Sequence, residues 1–326
     1  KADGDFVPLA DVPDIIWKQH KSKIEGGRDT QFLDMGRTTG PEHPTHYADI
    51  DEPGKDGKTL LELCLEDDEN ISVGVWRQFY DDADHKTQHE RGLLPFRVWQ
   101  FFDAMEEFAR NEQTAEFLCA AGLVSHYVGD ACQPLHGSML ADGFKDQPVT
   151  ETHHHENGDP FTKESHVGAG VHSTYETKMI DRHAPELIAG LQQAFQGQQP
   201  PMAAIHSGKE AAEAIIALMD RSAHSVPPKD LVDTYVAAGG KPNAAERDKL
   251  WEKFGDKTIE VMADGARVLA AIWQGAWSAG NGGGIAASKL GTISTTRLMP
   301  LYRDPKFVES LDIDSIGPVL HQPATA

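Results

Sequence analysis

Apolar residues along this chain recur at three- and four-residue intervals, and hardly anywhere at every second position, which predicts helices. DVPDIIWKQHKSKI, residues 11–24, opens on an Asp cap candidate and sets apolar against basic positions at helical spacing. GKTLLELCLEDDENISVGVWRQFYDDA predicts one or two helices, and GLLPFRVWQFFDAMEEFARN, 92–111, another with proline near its first turn. NEQTAEFLCAAGLVSHYVGD, 111–130, is apolar around most of its circumference and reads as the buried central helix. Further helices are predicted over 173–196, over 208–226 with Ala211, Ile215, Met219 and Ala223 in one row, and over 244–279 as one long or broken element. Trp273 and Trp277, four apart on the last of these, read as core. The glycines of 281–284 end it. Residues 137–171, rich in Gly, Asp, His and Pro, show no sustained period and read as a long loop. No sheet and no internal repeat is expected. The fold class is all-α: a mostly helical single domain over 1–280, with an irregular tail, 281–326, packing on it.

The chemistry is concentrated in VSHYVGDACQPLH, 124–136, where His126 and Asp130 stand four apart and His136 follows just beyond a proline. VHSTYE then places His172 and Glu176 four apart. Imidazole and carboxylate at i and i+4 converge above one helix surface, and two such pairs with His136 between them can build more than one metal site. His, Asp and Glu without Cys suit zinc with an open position for water. Taken singly, each residue has a plainer reading. A buried histidine is usually satisfied by a carbonyl, His136 alone is a turn residue, and His172 with Glu176 alone is a solvated pair worth a few tenths of a kcal/mol. Asp130 resists that reading, because an unpaired carboxylate in an apolar helix is costly, although a simple His–Asp salt bridge remains open. His153, His154, His155, Glu156 and His166 read as a hydrophilic loop, since consecutive histidines point different ways. Glu66 to Glu69 reads as a solvated acidic face.

HYVGDACQPLH followed by GVHSTYE, with HYADID at 46–51 upstream, resembles the zinc-dependent phospholipases C of bacteria and the related single-strand-specific zinc nucleases of fungi and plants. The resemblance covers residues from about 30 to 180. It implies a helical fold around as many as three zinc ions and hydrolysis of phosphodiesters by a zinc-activated water attacking in line. The first site would take His46, His126 and Asp130, with an Asp about a dozen residues before His46. Asp34 fits that place, with Asp29 as rival, and would also accept a proton from the water. Asp130 would bridge two ions. His136, His172 and Glu176 would form the second site, Asp49 would orient a ligating histidine, and Tyr47 would contact substrate. The family holds its third zinc by an N-terminal Trp and a nearby His. This chain begins with Lys1 and has His20 as its first histidine, so those ligands are expected upstream and the third site incomplete; substitution by Lys1 and His20 is the alternative. The Tyr before Glu176, where the nucleases show Trp-Asp, resembles the phospholipase branch. A phospholipid is therefore the expected substrate, with a nuclease or nucleotidase as alternative and a non-catalytic, zinc-stabilised protein as an alternative of another class.

Charge supports that order. Among 326 residues, 51 Asp and Glu against 30 Lys and Arg give −21, which lacks the basic footprint of a nucleic-acid binder. Bound zinc would add local positive charge that this formal count omits. No apolar run approaches the ~20 residues a membrane span needs. KADGDF carries no signal-peptide pattern and suits a mature or truncated start, with a secreted or periplasmic location expected. Cys119 and Cys132 on one helix would lie about 20 Å apart, and free thiols are expected for these and Cys64.

Overall fold

Local signals set where the helices begin. Thr59 and Glu62 form a reciprocal capping box that starts α1 (Leu60–Glu66), and the Ser72 hydroxyl caps α2 (Val73–Asp82). Pro95 sits in the first turn of α3 (Leu94–Arg110), where its missing N–H costs nothing. α4 (Thr114–Cys132) stops at Gln133, whose side chain accepts from the Leu135 amide as Pro134 turns the chain into a 3₁₀ turn carrying His136. There follow β1 (Phe144–His154), β2 (Pro160–Val167), α5 (Val171–Ser173), a π-helical turn over Thr174–Met179, α6 (Ile180–Arg182), α7 (Ala184–Ala194) and α8 (Gly208–Ser225). α9 (Pro228–Ala237), α10 (Ala244–Ala279), α11 (Thr295–Tyr302) and α12 (Ile313–Ile316) complete the order. The computed structural model describes residues 8–18, 40–154, 159–197, 202–241 and 243–321.

The mostly helical fold expected from the sequence is what the structure shows, with departures in detail. The loop expected at 137–171 contains an antiparallel hairpin, β1 paired to β2 from Phe144↔Val167 to His154↔Pro160. Its outer part is solvent-exposed, so it lacks the buried face that would have produced apolar alternation. His153 and His154 therefore lie on a strand, and His155 and Glu156 lie outside the described residues. The helix expected at 11–24 is, as far as it is described, a 3₁₀ turn at Leu9–Asp11 and a π turn at Pro13–Trp17. The expected irregular tail contains α11 and α12. Trp273 is not core: it is 38% exposed, anchored by its indole N–H to the Ala121 carbonyl at 2.9 Å.

The chain divides into two compact units. The first takes Lys1–Ala131, Pro201–Leu218 and Gly265–Ala326. Its core holds Trp76, Phe96, Trp99, Phe101, Phe102 and Tyr127, with Trp76 edge-on to Phe96 at 4.9 Å. The second takes Cys132–Pro200 and Met219–Asp264. There Leu135, Val171, Tyr175 and Met179 pack with Val226, Leu231, Val232, Tyr235, Leu250 and Phe254. Cys64, Cys119 and Cys132 are free thiols.

In the first unit the turn His43–His46 is held against the start of α3 by two backbone bonds, Leu93 N–H to Pro44 O at 2.8 Å and Leu94 N–H to Tyr47 O at 3.2 Å. Gly92 permits that approach: a Cβ there would stand 2.5 Å from Tyr47 O and 2.8 Å from Ala48 Cα. Both neighbours are backbone and cannot swing aside. Gly92→Ala is expected to destabilise the chain by about 2 kcal/mol, measured by chemical denaturation, and an unchanged midpoint would show that the contact is not needed.

Candidate metal centres

Three histidine rings have one nitrogen fixed by a group that can only accept a proton. A carbonyl has no proton to give, so the nitrogen facing it carries the N–H, and in the neutral ring the other presents its lone pair. His126 faces the Ala10 carbonyl through Nδ1 at 2.7 Å, and His172 faces the Ala141 carbonyl through Nδ1 at 2.9 Å. His46 faces the Glu42 carboxylate through Nε2 at 3.0 Å. This is how ligating histidines are held by outer partners in metal sites.

In the first unit the free ring nitrogens meet carboxylates. His46 Nδ1 lies 3.0 Å from His126 Nε2 and 2.9 Å from Asp130 Oδ2, and His126 Nε2 lies 3.4 Å from that same oxygen. Asp14 Oδ1 is 4.0 Å from each imidazole nitrogen. Bonds of about 2.1 Å in a tetrahedron put donor atoms about 3.4 Å apart, and the observed spacings bracket that value. With the outer nitrogens protonated, the inner nitrogens and carboxylate oxygens face one another closely, an arrangement that a shared proton or a bound cation relieves. Burial, only partly offset by Asp14 and the Ala10 bond, holds His126 below its ordinary pKa and favours the neutral ligand form. Burial would raise the Asp14 carboxyl, but Lys18, His46 and His126 outweigh it and the group sits below its usual range.

The sequence reading missed Asp14. It stands 4.0 Å from the His46 and His126 ring nitrogens, while Asp34 lies outside the described residues together with Asp29, Lys1 and His20. Asp14 rides on the Pro13–Trp17 turn, which Val12, Ile16 and Trp17 bury in the first unit. Glu42 was also missed, although EHPTH places it four residues before His46. Glu42 is an acceptor that orients His46, and burial above all, with charge from Asp49 and Glu52 among others, raises the Tyr47 and Tyr80 phenols. Tyr47 donates its hydroxyl to the His89 carbonyl at 2.5 Å and packs against His43.

The second unit brings together His136, His172 and Glu176. Glu176 Oε2 lies 2.7 Å from His172 Nε2 and 3.6 Å from His136 Nε2, with the two rings 4.8 Å apart. Asp142 holds the start of this helix, accepting from the Gly170 amide at 2.9 Å and the His172 amide at 3.3 Å. The π turn buries Tyr175, whose hydroxyl meets Thr258 Oγ1 at 2.8 Å, and leaves Glu176 over His172. His172 and Glu176 remain about a third exposed, so a ligand can approach. Burial would raise the Glu176 carboxyl, yet hydrogen bonds and charge from His136 and His172 pull it far below its usual range. Burial would lower His172, and its bond to Glu176 reverses this. His166 is not part of the group, and its Nε2 is held by the Asp142 carbonyl at 2.8 Å. A third set, Asp103, Glu106 and His321, gathers in the first unit.

No family model matches this chain, and no solved structure matches it. A protein of Bradyrhizobium tropiciagri named probable serine protease is 42% identical to it over 330 residues, covering 96% of this chain. The chain spans 42% of that relative's length. This overturns the expected activity. A zinc phosphodiester hydrolase of the phospholipase C kind, with a nuclease as alternative, does not agree with a relative named as a protease. The physical reason is that His and carboxylate spacing reports which ion can be held and says little about which bond is cut beside it.

In the metal-free chain the His172–Glu176 pair has a signed pH dependence. Glu176, lowered on folding, contributes stability above its unfolded pKa of about 4.3 and loses it as pH falls through the folded value. His172, raised on folding, contributes below about 6.5 and loses it as pH rises through its folded value. Denaturation in chelator should therefore show this contribution greatest between about pH 4.5 and 6.5, and Glu176→Gln should flatten it. An identical pH profile in the variant would refute the pairing.

Proposed function

We propose that this chain is a metal-binding helical region of a protease-type hydrolase, holding divalent cations at two centres. The observation that carries this is the convergence of imidazole and carboxylate donors: Asp14, His46 and His126, with Asp130 against both rings, in one centre, and His136, His172 and Glu176 in the other. Imidazole with carboxylate and no thiolate suits zinc. When bound at the more open second centre, zinc supplies a Lewis-acid position for a carbonyl, a carboxylate or water. Around it the chain's own residues do the positioning: Asp142 and the Ala141 carbonyl fix His172, and the Pro134 turn aims His136.

The relative's name supports a protease-type polypeptide, and the 42% share of its length leaves room for serine chemistry in the remainder. Ser125 donates to the Gly122 carbonyl, Ser310 to the Glu42 carboxylate, and Ser173 accepts from Lys178. On the relative's name and length, we propose that peptide cleavage belongs to the part of such a protein that this chain does not match, and metal binding to the part that it does.

Elemental analysis should find about two zinc ions per chain, with Glu176→Ala losing about one and Asp130→Ala losing the other. Chelation should lower Tm by several degrees and zinc should restore it. Wild-type metal content in both variants would overturn the centres. Casein cleavage by this chain alone, blocked by a serine-directed fluorophosphonate and indifferent to chelator, would overturn the division of roles.

A further inference from the structure

The first centre continues inward to a segment far along the chain. Glu42, which fixes His46, is fully buried, and its Oε1 also accepts from the Tyr127 hydroxyl at 2.6 Å. Its other oxygen accepts from the Ser310 hydroxyl, and the Arg97 guanidinium stands 3.6 Å away. Arg97 is itself fully buried, enclosed by the rings of Trp17, Phe101 and Tyr127 at 4.7–5.5 Å. It donates to the Val308 carbonyl at 2.9 Å, the Glu309 carbonyl at 3.1 Å and Ser310 Oγ at 3.2 Å, and Gln100 adds a bond to the Glu309 carbonyl at 2.9 Å.

Three successive residues thus turn polar groups inward onto the outer shell of His46. The backbone shows what this arrangement requires. Val308 has φ of +48°, a left-handed conformation that a β-branched side chain rarely adopts and that persists only where surrounding contacts impose it. A second tie runs from the turn carrying Asp14, where the Trp17 indole N–H donates to the Tyr302 carbonyl at 2.8 Å.

We infer that Val308–Ser310 is a clasp coupled to the first metal centre through Glu42 and His46, so that loading the ion and docking the segment favour each other. Glu42 and Ser310 are positioning residues. Docked, Ser310 and Arg97 hold the Glu42 carboxylate where it keeps the His46 proton on Nε2 and the Nδ1 lone pair toward the ion. Released, the carboxylate loses Ser310, Arg97 loses the acceptors that hold it beside Glu42, and His46 loses its fixed orientation. Coupling of this kind is reciprocal: whatever factor the segment adds to metal affinity, the metal adds to docking of the segment. The inference rests on the metal-binding reading above.

The test titrates cobalt(II) into the full chain carrying Glu176→Ala, so that the first centre is read alone by its visible spectrum. Glu42→Gln, nearly isosteric, is expected to weaken binding 10- to 100-fold, and Ser310→Ala at least about fivefold. Hydrogen exchange across residues 307–312 should slow on loading in the parent and stay unchanged in Ser310→Ala. Glu42→Asp should restore part of the affinity, which a merely space-filling role would not. If the parent binds cobalt while both variants bind it equally well, or if exchange ignores the metal, the clasp is overturned and the metal reading stands. If the parent binds no ion, both fall.

Discussion

The two centres depend on a constraint about protons. Carbonyl oxygens of Ala10 and Ala141 and the carboxylate of Glu42 have nothing to donate, so each fixes a hydrogen on the outer nitrogen of a histidine and, in the neutral ring, leaves the inner one as a lone pair. Everything else about the sites follows from that assignment. The inner nitrogens stand 2.7–3.4 Å from Asp130 and Glu176, so each contact needs either a proton on the ring or a cation to balance the carboxylate. The excess of acidic residues, −21 for the chain, makes cation capture favourable at long range as well.

The fold serves this constraint by different means in each unit. In the first, buried charges are arranged in depth: Glu42 and Arg97 are both shielded from water and bonded to Tyr127, Gln100 and backbone carbonyls, with only the Arg97 Nε left without an acceptor among the described residues. In the second, the site is shallow. Backbone geometry carries the burden there, through the Asp142 bonds at the helix start, the left-handed Gly170 before it at φ +88°, and the π turn. A deep centre suits retention of an ion, and a shallow one suits exchange of what the ion holds.

The helices were legible because their apolar faces are continuous over several turns, as in Leu94–Arg110 and Gly208–Ser225. Six of the expected ligands, His46, His126, Asp130, His136, His172 and Glu176, do gather into two groups, because i,i+4 pairs are visible in any helical reading. Asp14 was illegible for the opposite reason. It meets His126 across more than a hundred residues, and nothing local distinguishes it from a helix-start acid. The substrate was misjudged because the motif describes donors to an ion, and donors to an ion recur across unrelated chemistries.

The hairpin bears on how this chain behaves in company. Among the described residues it has two strands only, so each keeps an open edge of unpaired amides and carbonyls, the pattern onto which foreign strands add. Its composition opposes that. Pro148 removes one donor beside the irregular register after Phe144, and Lys145, Asp146, Lys163 and Glu164 place charges along the ribbon. Substituting such residues by valine or threonine would leave the two histidine–carboxylate groups untouched and turn the ribbon into a template for self-association. The polar character that concealed the strands from a reading of hydrophobic pattern is therefore what keeps them apart from their neighbours.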